Sequence, residues 1–427
     1  MSDTIFALSS GAPPAGIAII RVSGPDAADS IMALAGNLPP PRRASLRLLT
    51  DPVDGSPLDR ALLLWLPGPD TATGEDLAEF HCHGGRAVVR AVEAALSRME
   101  GLRPATAGEF TRRAFDNGRL DLNAVEGLSD LLSAETEQQR RAALAMAEGH
   151  FSRRVDGWRD ELLTLSAMVE AALDFSDEDD VPADDIEARI GDGVAALASD
   201  VRAALASPSA ERLRDGVRVV LAGPPNAGKS TLLNALVGRD AAIVSDVAGT
   251  TRDRIEAPTA WGGVPFLLTD TAGLREDAGD AIEAIGIDRA RAALDAADII
   301  LWLGDPADPP RADAIRIAAQ SDRVADDGRH DLRLSAVTGE GMDRLRSLLL
   351  ERAAKLLPGE GDYALRARQR IHGETIAGHL AAALKASDML IVAEELRGAR
   401  SAIDRLTGRA GTEDMLDRLF GGFCIGK

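Results

Sequence analysis

The stretch RVVLAGPPNAGKS, residues 218–230, decides the fold of the central part of this chain. Its first five residues form a short apolar run typical of a buried strand, and the next eight fit the pattern G-x-x-x-x-G-K-[ST]. In that pattern the backbone amides of a glycine turn and of a helix N-terminus point at phosphate oxygens. Lys229 adds a positive charge beside the β and γ phosphates, and the Ser230 hydroxyl is a Mg²⁺ ligand. A chance glycine turn is the alternative, but strand, lysine and helix together predict a nucleotide site.

Two further segments follow in the order that a nucleotide-dependent switch needs. AGTTRD, residues 248–253, lies in a predicted loop, where Thr251 would complete the Mg²⁺ shell and sense the γ phosphate. LLTDTAG, residues 267–273, is a predicted strand that ends in Asp270. Asp270 would hold Mg²⁺ through water, and the Gly273 amide would meet the γ phosphate. Loops that the γ phosphate orders and hydrolysis releases make a two-state element.

The base-reading segment departs from the usual guanine pattern Asn-Lys-x-Asp. Its aspartate is kept as Asp322, while Ala319 and Gln320 stand at the Asn and Lys positions. We expect a weakened guanine preference, because bidentate recognition by a carboxylate carries most of the discrimination. Ser335 and Ala336, after the short strand that precedes them, form the turn expected to touch the base.

Two more departures occur in the same part of the chain. The segment 304–332 is short and rich in Pro and Asp, which predicts that a crossover helix is missing. Leu274 stands where many GTPases carry a water-orienting glutamine, so another group must orient the water. Glu283 is a candidate, and a solvent-facing helix glutamate is the alternative.

The chain around this section is long enough for two to four domains, with 427 residues. We predict a multidomain α+β and α/β protein. Residues 1–118 mix strand-like runs with one helical stretch, which indicates a small α+β domain. Residues 119–214 and 358–427 are rich in Ala, Leu, Glu and Arg and are predicted to be helical. Residues 215–357 alternate strands and helices, which favours a mostly parallel sheet inserted into one helical domain.

Composition excludes several classes of protein. The formal net charge of −20 argues against autonomous binding to nucleic acid, so such contacts would be local or shared with a more basic partner. Two cysteines do not make a disulfide framework and indicate a reducing compartment. No apolar run reaches the ~18 residues of a membrane span, and the start lacks a basic leader region. We therefore expect a cytoplasmic protein with no membrane contact.

The cysteines have both functional and inert interpretations. FHCHGG, residues 80–85, invites a metal site, but neighbours on a strand alternate faces, so a plain strand before a glycine turn is favoured. Cys424 has no His or Arg beside it in sequence that would lower its pKa, which favours an unreactive thiol.

Taken together, these residues resemble the family of tRNA modification GTPases called MnmE or TrmE, and the resemblance extends over the whole chain. The matching motifs are AIIRVSG (18–24), GED (74–76), HGG (83–85), GEFT (108–111), the glycine loop, DTAGLR (270–275) and FCIGK (423–427). The resemblance implies an N-terminal domain that joins two copies and binds a tetrahydrofolate one-carbon donor, as the 5,10-methylene or formyl form. It also implies a Ras-like GTPase domain within a helical domain.

The same resemblance implies a reaction and a partner. With the FAD-containing protein MnmG, in a hetero-oligomer, the family installs a carboxymethylaminomethyl-type group on carbon 5 of the wobble uridine of certain tRNAs. The tRNA would be held mainly by the partner, which suits the acidic balance of this chain. GTP hydrolysis would be stimulated by K⁺, which takes the place of an arginine finger.

Residue roles are implied position by position. Folate contacts fall on Arg21, Glu79, Arg119 and Lys427, where Arg119 replaces a residue that is often lysine. The K⁺ site falls on Asn226, Ser245, Val247 and Thr250, and the Mg²⁺ site on Ser230 and Thr251. Catalysis is assigned to Glu283, Lys229 and Thr251, with Cys424 as a further candidate. The GTP-binding set from motifs and resemblance together is Asn226, Ala227, Gly228, Lys229, Ser230, Thr231, Ser245, Asp246, Val247, Ala248, Gly249, Thr250, Thr251, Asp270, Thr271, Ala272, Gly273, Asp322, Ser335 and Ala336.

Two rival functions stay open. A ribosome-assembly GTPase would use the same α/β section but usually carries a basic RNA-binding appendage, which this acidic chain lacks. A nucleotide-binding scaffold without catalysis is suggested by the altered base-reading segment. The presence of Thr251, Asp270 and Glu283 argues against the scaffold.

Overall fold

The computed structural model of the chain describes residues 3–174, 183–238, 256–271, 282–322, 328–359, 363–410 and 413–426. Contacts divide the chain into two compact units, Met1–Ser129 with Thr407–Lys427, and Asp130–Leu406. Within the described ranges, no helix is long and apolar enough to cross a membrane. The three boundaries between the four segments drawn from the sequence stay predictions.

Twelve strands and fourteen helices occur in the described residues. The strands are β1 (Thr4–Leu8), β2 (Ala15–Ser23), β3 (Ser45–Thr50), β4 (Pro57–Leu66), β5 (Leu77–Gly84), β6 (Leu102–Pro104), β7 (Val217–Ala222), β8 (Glu256–Trp261), β9 (Val264–Asp270), β10 (Ile299–Trp302), β11 (Ile315–Ala319) and β12 (Leu332–Leu334). The helices are α1 (Ala27–Ala35), α2 (Arg86–Ser97), α3 (Glu109–Asp116), α4 (Leu122–Leu132), α5 (Glu137–Ala147), α6 (His150–Asp174), α7 (Ala183–Leu205), α8 (Ala210–Asp215), α9 (Lys229–Val237), α10 (Ile282–Ala296), α11 (Met342–Ala354), α12 (Ala367–Ala383), α13 (Met389–Thr407) and α14 (Glu413–Gly421).

The first unit is built on one six-stranded sheet in the order β3-β4-β5-β2-β1-β6. Alternate side chains such as Ile20, Leu63 and Phe80 are fully buried and pack with Ile31 of α1 and Leu96 of α2. The intervening positions point to the opposite face of the sheet. Large exposed apolar side chains on that face are Ile17, Leu46, Leu48 and Leu62. The α+β organisation predicted for this part of the chain is confirmed.

The second unit contains a six-stranded sheet in the order β12-β11-β10-β7-β9-β8. Every pairing is parallel except the hairpin of β8 and β9, which confirms the mostly parallel sheet. Its buried core includes Leu221, Phe266 and Leu301 from the strands and Leu232 and Leu345 from α9 and α11. The link between β10 and β11 contains no helix, as its length and composition predicted.

A separate core lies within the helices that precede and follow this sheet in the sequence. Trp158 of α6 and Val194 of α7 precede the sheet in sequence, while Ile376 of α12 and Leu396 of α13 follow it, and all four belong to one buried cluster. The α/β section is therefore inserted into a helical bundle. The predicted fold class is confirmed.

Candidate functional site

The glycine loop joins the end of β7 to the start of α9. Gly223 has φ +149°, and a Cβ there would lie 3.0 Å from the carbonyl carbon of Leu303. Asn226 and Gly228 have φ of +61° and +93°, so the chain turns sharply before α9 begins. The first turn of this nine-residue helix therefore directs its backbone N–H groups and the positive end of its dipole toward the loop. This backbone geometry suits the anion site for which the sequence predicts the loop.

The Lys229 side chain folds back over the loop. Its residue is 4% exposed, and Nζ donates to the carbonyl oxygens of Gly223 at 2.9 Å and Pro224 at 2.7 Å. A buried ammonium needs such oxygen partners, because an unpaired charge in the interior is costly. The ammonium is thus held at the loop, where phosphate oxygens are the natural further acceptors.

Ser230 and Asp270 meet at the end of the two neighbouring strands. The Ser230 hydroxyl donates to Asp270 Oδ2 at 2.6 Å, and Asp270 is 4% exposed. Asp270 pairs in register with Leu221, so the sheet itself brings the carboxylate beside the loop. Thr271 donates from its amide and its hydroxyl to the Leu221 carbonyl, at 3.2 and 2.9 Å, which fixes the strand end. Adjacent hydroxyl and carboxylate oxygens are hard ligands that fit Mg²⁺ completed by water and phosphate.

A cavity of about 780 Å³ opens around these groups. That volume is within the ~300–1,000 Å³ usual for ligand pockets. It lies at the carboxyl ends of β7, β10 and β11, where parallel sheets bind ligands. Its lining includes Asn226, Gly228, Lys229, Ser230, Thr231, Thr271, Ala290, Leu294, Trp302, Asp305 and Gln320.

A second polar arrangement lies in the first unit. Arg21 Nε and Nη2 both donate to Glu79 Oε1, at 3.1 and 2.9 Å, and His81 Nε2 lies 3.1 Å from Glu79 Oε2. The Arg21 guanidinium also lies over the Phe110 ring, 5.9 Å from its centroid. Burial raises the pKa of Glu79, but Arg21 and His81 outweigh it, so the pKa is lowered and the carboxylate stays ionised. The group is a preorganised, partly buried ion pair on the face of the sheet opposite α1 and α2.

Helix α3, which carries Phe110, is anchored by ion pairs at its start. Arg103 donates to Glu109 Oε2 at 2.9 Å, and the Thr106 amide donates to the same oxygen at 2.8 Å. Burial raises the pKa of Glu109, but these donors outweigh burial and lower the pKa to about 2. Arg113 in the same helix donates to Glu75 Oε2 at 3.0 Å.

The His-Cys-His segment lies on β5 with its neighbours on opposite faces. Cys82 is buried in the core, while His83 is exposed and pairs with Asp59 at 2.7 Å. Burial, with a smaller contribution from Asp59, raises the pKa of the Cys82 thiol to about 12, so it is protonated at neutral pH. Within the described part of the chain, no group of three or more His, Cys, Asp or Glu residues is placed to hold a metal ion.

The C-terminal segment packs along the same unit. Ile425 forms a β-bridge with Ala107, and Gly426 lies so close to the Leu8 carbonyl that a Cβ would come within 2.2 Å of its oxygen. Cys424 is exposed beside this bridge. The tail therefore ends against the region where α3 begins.

Comparison with known proteins agrees with this architecture. A family model described as GTP-binding protein TrmE N-terminus matches residues 4–119, and one described as MnmE helical domain matches residues 122–424. A protein of Rhizorhabdus wittichii named tRNA modification GTPase MnmE is 64% identical over 429 residues, covering 100% of this chain and 97% of the relative. One of the same name from Erythrobacter litoralis is 59% identical over 428 residues, covering 100% of both chains.

This chain belongs to the tRNA modification GTPase MnmE family. Among solved structures, the G domain of the T. maritima FeoB iron transporter is 25% identical over 32% of this chain and 98% of that one, with a TM-score of 0.23.

Several residues predicted for an MnmE nucleotide site come together in the structure. Those lining the cavity are Asn226, Gly228, Lys229, Ser230, Thr231 and Thr271. Ala227 lies in the same loop, and Asp270 is connected to the cavity lining by its hydrogen bond from the Ser230 hydroxyl. Outside the described residues lie Ser245, Asp246, Val247, Ala248, Gly249, Thr250, Thr251, Ala272, Gly273 and Lys427. Glu283 is the second residue of α10, and the placement of its side chain is outside the description.

The predicted base and folate residues are placed less completely. Ser335 is fully buried and its hydroxyl accepts the Thr338 amide at 3.2 Å, with Ala336 in the same turn. Asp322 follows β11 and is exposed. Arg119 is about half exposed, and its Nη1 lies 3.4 Å from Asp70 Oδ1. Arg119 is not part of the ion pair between Arg21 and Glu79.

Sequence reasoning did not assign Trp302 and Gln320 to the cavity. Trp302 ends β10, which pairs directly with β7, and its indole donates to the Asp305 carbonyl at 2.7 Å. The available signal was position alone, since residues at the carboxyl ends of strands next to the glycine loop must border the ligand. Gln320 was noted only as a departure from the guanine pattern.

Proposed function

We propose that this chain is a K⁺-stimulated GTP hydrolase that modifies the wobble uridine of certain tRNAs together with the FAD-containing protein MnmG. Membership of the family makes the chain a GTPase of tRNA modification. In the fuller proposal, it helps to install a carboxymethylaminomethyl-type group on carbon 5 with a tetrahydrofolate one-carbon donor. The observation that carries the hydrolase part is the contact of Ser230 with buried Asp270 beside the buried Lys229 ammonium.

The mechanism follows from charges held in fixed places. The loop amides and Lys229 bind the β and γ phosphates, and Ser230 and Thr251, with Asp270 acting through water, would hold Mg²⁺. When bound, Mg²⁺ would supply positive charge beside the phosphate oxygens. Because Lys229 and Asp270 are already ordered by their partners, little reorganisation is needed when negative charge develops on those oxygens. We assign Glu283 to orienting the attacking water.

The K⁺ dependence is proposed from one described residue and three others. Asn226 lines the cavity in a left-handed conformation, φ +61°, next to the amides that face phosphate. Carbonyl and amide oxygens at this place suit a monovalent cation, which would add positive charge where hydrolysis develops negative charge. We group Ser245, Val247 and Thr250 with it.

The folate site is proposed at Arg21 and Glu79, together with Arg119 and Lys427. A pterin ring carries adjacent N–H donors, which an ionised carboxylate accepts in a bidentate manner. Glu79 remains ionised because its pKa is lowered beside Arg21 and His81. Both side chains keep part of their surface exposed, 24% for Arg21 and 14% for Glu79, and a planar ligand can reach them there.

Dimerisation through the N-terminal domain is proposed from the same sheet face. Ile17, Leu46, Leu48 and Leu62 are 60%, 58%, 50% and 37% exposed. An apolar group of this size on one sheet face is typical of a surface that another protein covers.

We propose that the tRNA is held mainly by the partner protein MnmG, in the cytoplasm. The net charge of −20 supports this, because an acidic chain repels the phosphate backbone of the tRNA.

The first experiment measures phosphate release from the purified chain with GTP or ATP, in K⁺ or Na⁺. We expect GTP turnover that is faster in K⁺, and no nucleotide binding by the Lys229→Ala variant. Equal turnover in both salts would remove K⁺ from the mechanism. Turnover of ATP at the GTP rate would show that Asp322 does not select guanine. No turnover without the partner would favour the scaffold alternative until the complex is assayed.

A second experiment addresses the tRNA product. Nucleosides from a deletion strain are compared after complementation with the unaltered gene and with Glu79→Gln. We expect the modified uridine to return only with the unaltered gene, while both proteins hydrolyse GTP at the same rate. If the tRNA stays modified in the deletion strain, and that strain shows a defect in ribosome assembly instead, the ribosome-assembly alternative would be favoured.

A further inference from the structure

Helix α3 supports several of the residues proposed to bind folate. The ring of its Phe110 is buried, and the Arg21 guanidinium lies over that ring at 5.9 Å from the centroid. Arg119 is the third residue after the helix ends. Just before the helix starts, a β-bridge joins the chain to Ile425, two residues before Lys427. The placement of α3 therefore affects three parts of the proposed site.

One buried arginine ties α3 to the first two strands. The Arg113 side chain is 11% exposed, and its Nη1 donates to the Asp3 carbonyl at 2.8 Å and to Glu75 Oε2 at 3.0 Å. Its Nη2 donates to Asp3 Oδ1 at 2.9 Å, and a longer contact of Nη1 reaches the Ser23 carbonyl at 3.4 Å. Asp3 directly precedes β1, and Ser23 ends β2, the strand that carries Arg21. Because a guanidinium is planar and its donors have fixed directions, several acceptors together make a rigid link.

The Glu75 carboxylate extends this link to the loop before β5. Its Oε2 also accepts the Ser23 hydroxyl at 2.8 Å, and that hydroxyl lies 2.7 Å from the Thr73 hydroxyl. Ser23 and Thr73 are buried, so these hydrogen bonds are sheltered from water. Asn117, which caps the end of α3, donates to the Thr73 carbonyl at 2.8 Å. The loop is thus bonded both to the end of β2 and to the end of α3.

We infer that Arg113 is a positioning residue for the proposed folate site. Its guanidinium is enclosed and engaged by these oxygens, so it acts through α3 and does not contact the ligand. It fixes α3 against β2, which keeps the Phe110 ring beneath Arg21 and holds the place where Ile425 is bridged. A site that uses several groups at once loses affinity when one of them shifts. The inference rests on the proposed folate site, and not on the GTP hydrolysis, K⁺ or partner proposals.

The test is Arg113→Met, which removes the donors and keeps an unbranched side chain. The control is Arg98→Met, which removes an ion pair with Asp51 in the same unit, at residues that follow α2 and β3. Isothermal titration calorimetry gives the dissociation constant of formyltetrahydrofolate. We expect this constant to rise about 10-fold in Arg113→Met, the lower end of what the loss of a supporting group costs at a metal site. It should stay unchanged in Arg98→Met.

A second measurement follows the C-terminal segment through the reaction of Cys424 with the thiol reagent DTNB. Cys424 is exposed beside Ile425, whereas Cys82 is buried and its pKa is raised to about 12, so the reagent reports on Cys424 in the folded protein. We expect Cys424 to react faster in Arg113→Met than in the unaltered chain or in Arg98→Met. An unchanged rate would show that Arg113 does not hold this segment.

A double variant separates positioning from stability. Arg113→Met leaves the Glu75 carboxylate without its cation, which lowers the urea midpoint. Adding Glu75→Gln removes that unpaired charge, so part of the urea midpoint should return. The affinity for formyltetrahydrofolate should stay low, because α3 still lacks its link to the strands.

Two results would overturn the inference and leave the folate site intact. One is unchanged folate affinity in Arg113→Met. The other is folate affinity that returns together with the urea midpoint in the double variant, which would show that Arg113 only stabilises the unit. Failure of the unaltered chain to bind formyltetrahydrofolate would instead overturn the proposed folate site, and this inference with it.

Discussion

Ser230→Ala tests the proposed binding of Mg²⁺ at the nucleotide site. The change removes the hydroxyl that donates to Asp270 Oδ2 at 2.6 Å, and leaves a carboxylate that is 4% exposed without that donor. The change also removes a hydroxyl proposed to bind Mg²⁺, and loss of a single group that supports a metal site typically costs about 10- to 100-fold in affinity. The affinity for Mg²⁺-GDP should therefore fall by about that factor. Affinity without Mg²⁺ depends on the loop amides and Lys229 and should change less than about twofold.

The assay is fluorescence anisotropy of a labelled GDP titrated with Mg²⁺ and, separately, with EDTA. Ser230→Thr is the matched control, because threonine keeps the hydroxyl and satisfies the same motif. It should bind Mg²⁺-GDP like the unaltered chain. If Ser230→Ala lost the same affinity in Mg²⁺ and in EDTA, the hydroxyl would be supporting the loop and the assignment to Mg²⁺ would be wrong.

Three further predictions concern catalysis and stability. Glu283→Ala should retain GTP binding and slow single-turnover hydrolysis at least tenfold, and a normal rate would remove Glu283 from the mechanism. Glu109→Gln should lower the urea midpoint at pH 7. Because the Glu109 pKa is lowered from 4.5 to about 2, the difference in urea midpoint between the variant and the unaltered chain should shrink as the pH falls from 4.5 toward 2. A difference that does not change with pH would contradict this. Gly108→Ala should destabilise more than Gly118→Ala, because both glycines have φ +68° but only at Gly108 would a Cβ meet the Phe420 carbonyl oxygen, at 2.2 Å. Backbone strain alone costs ~1–2 kcal/mol, and equal melting temperatures for the two variants would show that this close approach relaxes freely.

The sequence predicted those parts of the site that depend on neighbours along the chain. The glycine loop, Lys229 and Ser230 form one continuous segment, and Asp270 could be assigned because it ends a recognisable strand. Trp302 could not be assigned, because it reaches the cavity only through the pairing of β10 with β7. The left-handed conformation of Gln320 likewise depends on β12, whose Leu334 carbonyl holds the following turn.

Helix boundaries show the same limit. Residues 120–173 contain no proline and few glycines, so the sequence indicated long helices without fixing where each one ends. The structure divides them into α4, α5 and α6. Thr136 and Gln139 form a capping box that starts α5, and Gly149, with φ +76°, separates α5 from α6. Such caps can be recognised in a sequence, but their use here follows from packing: the Gln139 side chain also donates to the Leu213 carbonyl at 3.0 Å.

Strand β9 connects the nucleotide site physically to the helical part of the second unit. At one end, Asp270 accepts the Ser230 hydroxyl; at the other, the Gly263 carbonyl accepts the Gln138 amide of α5 at 3.3 Å. Helix α5 contributes Ala142 to the core of the sheet and Met146 to the core of the bundle. Because packed cores deform little, a shift of Asp270 along β9 must be taken up in the hairpin or passed to α5. The carboxylate proposed to act on Mg²⁺ and the helix that enters the bundle are thus separated by a single strand.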